Sequence, residues 1–416
     1  MINHGLEIRD FEPPDYDPFL SDELNFGDVA DPYPLIHRLH GDGPVHEGDF
    51  RSLFGLGSAV PPGRKSFVVV GTDEVTTVLT DQTRFSNQAY ALNLGTSFGM
   101  GSISTLDNPE HGRFRKIFQR IFLPQNIRSW GETIVGPVID ELVSGFKERG
   151  TADLVQDFTI RFPFEIIFRQ LGLPQEHIHT FQRLAIGQTD FFTPGRAKEA
   201  GEKLGRYFEQ LVKIRRRAPG VDLVSLLATT EVDGEYLPPL VLISFLRQLM
   251  NAAGDTTYRG TSILLAQLLR NPRQLEAVRV DRRLVPDAIE EGLRFDGPVV
   301  SQTRQSLVDT RLGGVDIPAG AILDVVAGAA NRDPQKWDHP DQFDIFRPRK
   351  AHWSFSRGPH ICVGQHLARV EMTRALEAVL DRLPGVQLDP GKPVPEALGV
   401  MMRVPRHLHV RFSASI

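Results

Sequence analysis

The chain has one cysteine, Cys362, in the segment Phe355-Ser356-Arg357-Gly358-Pro359-His360-Ile361-Cys362-Val363-Gly364, just before a helical pattern. A thiolate at a helix start is stabilised by unpaired backbone N–H groups and by the helix dipole. Glycine in such a loop lets the backbone pass close to something flat, because no Cβ stands in the way. Two other readings of the cysteine stay open on the residues alone. One is a buried structural thiol; the other is a nucleophile with His360 or His366 as its base. His360 lies only two residues away, a poor geometry for two side chains that must converge on one substrate. Glu291 and Arg294 place an acid and a base three residues apart, on one face of a helix. Asp255-Thr256-Thr257 interrupts a long apolar helical pattern, where threonines can bond back to carbonyls four residues earlier and bend the helix.

The elements that position these residues are mostly helical. Phe67-Val68-Val69-Val70 predicts a short strand, and Thr72 an N-cap for a helix with Val75, Val78 and Leu79 on one face. Further helices are expected at about 129–149, 160–171 and 197–217. The last of these ends in Arg215-Arg216-Arg217 before Pro219-Gly220. The longest pattern runs from Pro239 to about Arg270, nearly 50 Å at ~1.5 Å per residue, and suits a helix through the middle of a large domain. Short strands at 312–317 and 321–326, an irregular stretch at 331–355, a helix at 364–382 and a period-2 strand at Leu408, Val410 and Phe412 complete the order. The fold class is mainly α with a smaller β-rich part, as one domain over 1–416. Its helix-rich core covers about 105–300 and 364–382, and its β-rich parts about 50–72, 310–328 and 385–416.

Composition excludes several classes of function. The 416 residues carry 47 basic and 52 acidic side chains, a formal net charge of −5. No basic excess marks a nucleic-acid partner. One cysteine rules out an intrachain disulfide, a multi-cysteine zinc site and a four-cysteine iron–sulfur cluster. The N-terminal stretch carries Glu7, Asp10, Glu12, Asp15 and Asp17 and has no signal pattern. The apolar stretch from Leu237 contains Arg247, Gln248 and Asn251 and does not read as a membrane span. A cytoplasmic location with no membrane partner is expected.

The decapeptide resembles the haem-ligand loop of the cytochromes P450, F-x-x-G-x-H-x-C-x-G, at Phe355, Gly358, His360, Cys362 and Gly364. The likeness continues through Leu367, Ala368, Arg369 and Glu371, where the family reads L-A-R-x-E. Ser356 stands where glycine is more usual, and Val363 where leucine is common. The resemblance implies a cytochrome P450 fold and haem b, with Cys362 as the axial thiolate that favours O–O cleavage. Phe355 and the loop N–H groups would shield the sulfur. Glu291-Gly292-Leu293-Arg294 resembles the family's E-x-x-R element, for which Arg347 is the implied basic partner; all three are expected to be scaffolding. Ala252-Ala253-Gly254-Asp255-Thr256-Thr257 resembles the oxygen-activation motif A-G-x-[DE]-T-T, with Ala253 in place of the usual glycine. Asp255 and Thr256 occupy its acid and alcohol positions. His111 and Arg115, together with Arg304 and His360, fall at positions that partner haem propionates.

Family position also implies a substrate pocket. From the Gly-rich segment 91–104, expected as a mobile loop, it draws on Leu92, Leu94, Phe98, Met100 and Ile103. Phe191, Phe192, Met250, Ala252 and Ala253 follow, and then Val299, Val300 and Met401. The implied activity is haem-thiolate monooxygenation of an apolar small molecule by O2: a terpenoid, steroid, fatty acid or aromatic compound. Electrons would come from a separate ferredoxin-type donor with its NAD(P)H reductase, docking near Arg113, Lys116, Arg357 and Arg369. An H2O2-dependent peroxygenase and a non-catalytic haem-binding sensor are the rival readings. Asp255 and Thr256 argue against the first, and their retention together with the thiolate argues against the second.

Overall fold

The β-branched run at Phe67–Val70 forms the strand Ser66–Val69. It lies inside a five-stranded sheet ordered Val45–Glu47, Ser66–Val69, Ile322–Val325, Gln302–Ser306 and Phe85–Ser86. Only the pair Ser66–Val69 with Ile322–Val325 is parallel. Alternate side chains of a strand point to opposite faces. Phe67, Val69, Leu323 and Val325 therefore enter one apolar cluster with Val75, Leu79, Trp337 and Trp353. Val68, Val70 and Val326 enter another with Tyr33, Ile36, Phe50 and Val300. Both faces are covered, which explains why the strand reads as continuously apolar rather than alternating.

The computed structural model describes residues 5–414 apart from 13, 194 and 233. Its chain divides into two compact units. One comprises residues up to Asn25, Asn87–Ile117 and Pro163–Asp255; the other comprises Phe26–Ser86, Phe118–Phe162 and the chain from Thr256 onward. The sheet belongs to the second.

The first unit is helical. Its helix Arg196–Arg217 buries Ala197, Ala200, Leu204, Phe208, Leu211 and Val212, one apolar stripe at helical spacing. It packs against the helices Ala89–Ser97 and Ile178–Gly187. Gly201 makes the first contact possible, since a Cβ there would lie 2.3 Å from the Ser97 carbonyl oxygen. Phe181 meets Tyr207 edge-on at 4.9 Å between ring centres. The long helix spans Pro239–Arg270 and ends at Asn271-Pro272; it lies in the first unit as far as Asp255 and in the second from Thr256. Among the described residues, no helix is long and apolar enough to cross a membrane.

Several local expectations are corrected. Thr72 is not an N-cap: the capping position is Gly71, and the Thr72 hydroxyl donates instead to the Asp333 carboxylate. The helix expected at 129–149 starts earlier and stops sooner, as Pro124–Trp130, a π-turn at Gly131–Val135, and Gly136–Ser144. Pro137 cannot donate to the carbonyl four residues back, and the wider turn just before it accommodates that lost bond. The strand expected at 312–317 is a hairpin, Thr310–Leu312 paired with Val315–Ile317. Gly313 (φ +55°) and Gly314 (φ +85°) make its turn, of a kind that needs two positive φ angles. The segment 91–104 begins as the helix Ala89–Ser97 and continues in turns, so its first half is not a loop. Thr151–Asp153 is a strand inside the region expected to be helical, paired with the C-terminal strand His409–Arg411.

Candidate functional site

The cysteine loop is built on the sheet's first apolar cluster. Trp353 is buried there, and its indole N–H donates to Thr76 Oγ1 at 3.0 Å. The Ser356 N–H then donates to the Trp353 carbonyl at 2.8 Å. Ser356 and Gly358 both turn with positive φ, +63° and +69°. At Gly358 the helix Thr72–Thr80 comes close enough that a Cβ would sit 2.5 Å from the Leu79 carbonyl oxygen. A short turn, Gly358–His360, leads to Cys362, whose N–H donates to the Phe355 carbonyl at 2.8 Å. The Cys362 side chain is exposed, and the helix Gln365–Arg382 follows from Gly364. Phe355 lies under the Arg369 guanidinium at 4.5 Å. Glu371 is buried on that helix, and burial pushes its carboxyl well above the usual carboxylate range.

Glu291, Arg294 and Arg347 come together. Arg294 grips Glu291 through two N–H groups at 2.7 and 2.8 Å, with both side chains buried. Its other donors reach the carbonyls of Asn331, Pro340 and Gln342. Arg347 Nε lies 3.4 Å from Glu291 Oε2, and its terminal nitrogens bind the carbonyls of Asp338, His339 and Gln342. The Asp344 N–H donates to Glu291 Oε1 at 2.9 Å. One carboxylate and two guanidiniums thus fasten the irregular stretch that precedes the cysteine loop.

On the long helix, Asp255 is 1% exposed and Thr256 is half-buried. Gly254 is demanded by packing: a Cβ there would lie 2.3 Å from the Phe164 ring. His111 and Arg115 lie one turn apart on the helix Glu110–Ile121, and both are buried. Burial first, and then the Arg115 charge, hold the His111 imidazole down to about 4, so the ring is neutral at pH 7. Arg304 is buried on the strand Gln302–Ser306 and donates to the Thr303 carbonyl, while His360 is half-buried in its turn.

The pocket candidates differ in burial. Phe98, Ile103 and Met250 are buried, Leu94 and Ala253 half-buried, and Leu92, Met100, Phe191, Phe192 and Ala252 exposed. Val300 belongs to the sheet's second apolar cluster, with Met401 packed against it; the Val300 N–H donates to the Met401 carbonyl at 2.8 Å. Val299 is bridged to Met402. Of the basic docking candidates, Arg113 and Lys116 are exposed. Arg369 is not a free surface cation, because Glu290 holds it at 2.6 and 3.0 Å. Arg357 stacks over Trp353 at 4.6 Å.

Among the buried carboxylates that the sequence reading did not single out, Asp190 and Asp296 fasten distant segments. Asp190 accepts hydrogen bonds from Tyr16, Ser21 and Asn25, fixing the N-terminal segment beside Phe191 and Phe192. Burial raises the Asp190 carboxyl, but those hydrogen bonds outweigh it and hold the group low. Asp296 pairs with Arg403 at 2.7 Å, and Arg403 also reaches the carbonyls of Val29, Ala30, Ala397 and Gly399. Aspartates before a glycine or phenylalanine look like turn residues in sequence; only their distant partners distinguish them.

The chain as a whole is similar to known proteins. The family model described as Cytochrome P450 matches residues 195–409. Cytochrome P450 monooxygenase PikC of Streptomyces venezuelae is 33% identical over 87% of this chain and 86% of its own length. The structure of cytochrome P450 CYP109Q5 from Chondromyces apiculatus superposes with a TM-score of 0.82 at 30% identity, covering 93% of this chain and 96% of that one. Myxobacterial CYP267B1, solved in complex with myristic acid, gives 0.83 at 29% identity over 96% of this chain and all of its own. With a family model over more than half of its length and a relative 33% identical over 87% of it, the chain belongs to the cytochrome P450 family of monooxygenases, which hold haem b through a cysteine thiolate.

Proposed function

We propose that this P450 inserts one atom of O2 into a mostly apolar small organic substrate, with electrons delivered by a separate ferredoxin-type protein and its NAD(P)H reductase. The observation that carries the reading is that one chain holds both an exposed Cys362 thiol in a glycine-turned loop and a buried acid, Asp255, next to a half-buried alcohol, Thr256.

The donor set fits haem b. Cys362 offers a thiol from a tight, glycine-turned loop, and the loop N–H groups with Phe355 would temper its charge. His111, Arg115, Arg304 and His360 supply the cationic and hydrogen-bonding chemistry that propionates require. When bound, the haem supplies the redox and oxygen-activating chemistry. Thr256 would hold a water at its hydroxyl, and Asp255 would pass it protons, since a carboxylate can take up and release one within hydrogen-bond reach. The Glu291–Arg294–Arg347 cluster keeps the loop in place and takes no part in proton movement.

Apolar side chains at Phe98, Ile103 and Met250 favour a hydrocarbon-rich substrate. The myristic acid bound to CYP267B1 and the hexadecenoyl acyl carrier protein bound to P450BioI, 26% identical to this chain, are ligands of that chemistry. For the electron donor, the open groove between the helix Gln365–Arg382 and the run Pro124–Val135 is a docking candidate, about 640 Å³ and lined by Arg128, His366, Arg369 and Arg374 together with Glu132 and Glu377.

Reduction of the haem-loaded protein under carbon monoxide tests the thiolate, which requires a strongly red-shifted Soret band. Substrate-dependent NADH consumption with surrogate ferredoxin and reductase then tests monooxygenation. Turnover supported by H2O2 but not by the electron-transfer proteins would make the enzyme a peroxygenase. Binding without turnover under either condition would make it a sensor.

A further inference from the structure

The strand His409–Arg411 alternates in and out, so Leu408, Val410 and Phe412 are buried while His407, His409 and Arg411 lie on the opposite face. Its partner strand, Thr151–Asp153, ends with Asp153 directly across from His409. Arg411 is taken by Asp389 at 2.8 Å, which leaves the two histidines facing Asp153. Asp153 Oδ2 lies 2.6 Å from His407 Nδ1 and 4.0 Å from His409 Nδ1. The two imidazoles stack almost parallel, 8° apart, with 5.3 Å between ring centres.

The carboxylate is oriented by the backbone. Asp153 Oδ1 accepts the Leu408 N–H at 2.9 Å and the Val155 N–H at 3.1 Å, so Oδ2 is the oxygen turned toward the histidines. Asp157 accepts the Asp153 N–H and pairs with Arg149 at 2.9 Å, which neutralises that guanidinium. Two imidazole nitrogens and one carboxylate oxygen, all within 4.8 Å of one another, form a donor set.

We propose that Asp153, His407 and His409 bind a divalent transition cation of the zinc class, with water completing the coordination. Imidazole and carboxylate suit Zn²⁺, and ligand bonds of about 2.0–2.2 Å place tetrahedral neighbours about 3.3 Å apart. The present distances of 2.6 and 4.0 Å bracket that value, so each separation changes by about 0.7 Å. The two rings now lie nearly parallel, and their in-plane lone pairs meet at one ion once the exposed His407 ring turns about its side-chain torsions. Metal takes the Nδ1 lone pair of each ring, and the proton that His407 Nδ1 shares with Asp153 moves to Nε2 or to solvent. The bound ion ties the strand after the helix Gly136–Ser144 to the C-terminal strand, away from Cys362 in sequence and independent of the redox chemistry.

The test is calorimetric titration of chelator-treated holoenzyme with Zn²⁺ at pH 7.5, for the wild type and for His407→Ala, His409→Ala and Asp153→Asn. The wild type should show one equivalent that each variant loses or binds at least about tenfold more weakly, the lower end of what even an outer-shell partner contributes. Zinc should also raise the wild-type unfolding midpoint and not those of the variants. Asp153→Asn risks the fold because Asp153 caps two N–H groups; the two histidine variants touch no such bond and decide the matter alone. A wild type without that equivalent, or histidine variants that bind as the wild type does, would overturn the proposal.

Discussion

Two residues of the cysteine loop turn with positive φ, but only one of them is glycine. Ser356, at +63°, pays the left-handed conformation with an L side chain, ~1–2 kcal/mol, and its buried hydroxyl has no hydrogen-bond partner, a further ~1–3 kcal/mol. Glycine at 356 removes both terms and adds ~0.5–1 kcal/mol of unfolded-chain entropy. Ser356→Gly should therefore stabilise the loop by about 1–4 kcal/mol. Gly358→Ala should do the reverse. It places a methyl group 2.5 Å from the Leu79 carbonyl oxygen and 3.0 Å from Thr80 Cα, both backbone atoms, at φ +69°. Left-handed strain of ~1–2 kcal/mol and overpacking of ~1–3 kcal/mol, less the entropy gained, make a loss of about 1–4 kcal/mol. The assay is urea unfolding of the haem-loaded protein, followed by the Soret band and by far-UV circular dichroism. Shifts of the same sign, or a lower midpoint for Ser356→Gly, would refute the reasoning and show that the serine hydroxyl is used.

Thr256→Ala should keep haem, substrate binding and NADH consumption while product falls and hydrogen peroxide rises; full coupling would place proton delivery on other residues. Glu291→Gln strands two guanidiniums, one of them fully buried, and should cost about 3–5 kcal/mol by denaturant unfolding, whereas a change below 1 kcal/mol would mean the backbone carbonyls alone suffice. Asp324 is buried in the central sheet and accepts the Phe50 N–H at 3.0 Å. Burial pushes its carboxyl up to about 7, with Asp49 adding to the rise and the Phe50 N–H and Arg51 opposing it. The unfolded group titrates near ~4, so its contribution is complete below that pH and is lost as pH rises through about 7, at most ~4 kcal/mol. Asp324→Asn should flatten the stability profile between pH 4 and 8, and an unchanged slope would assign the dependence to another group.

The sequence by itself determined the features that local chemistry dictates. A lone cysteine among loop glycines, an acid and a base one helical turn apart, and an acid beside an alcohol in a long apolar helix all concern neighbours within about ten residues. The boundaries Pro239–Arg270 and Arg196–Arg217 were legible for the same reason, since apolar periodicity and proline stops are local. Tertiary structure decided the rest. Thr72 reads as a cap until Asp333 claims its hydroxyl, and Arg369 reads as a surface charge until Glu290 binds it. Gly254 reads as a variable position until Phe164 fills the space where its Cβ would stand. Asp153, His407 and His409 are separated by some 250 residues and meet only because two short strands pair in one register. Each of these outcomes depends on a partner distant in the chain. Periodicity and capping rules report the half of an interaction that a residue brings, and only packing supplies the other half.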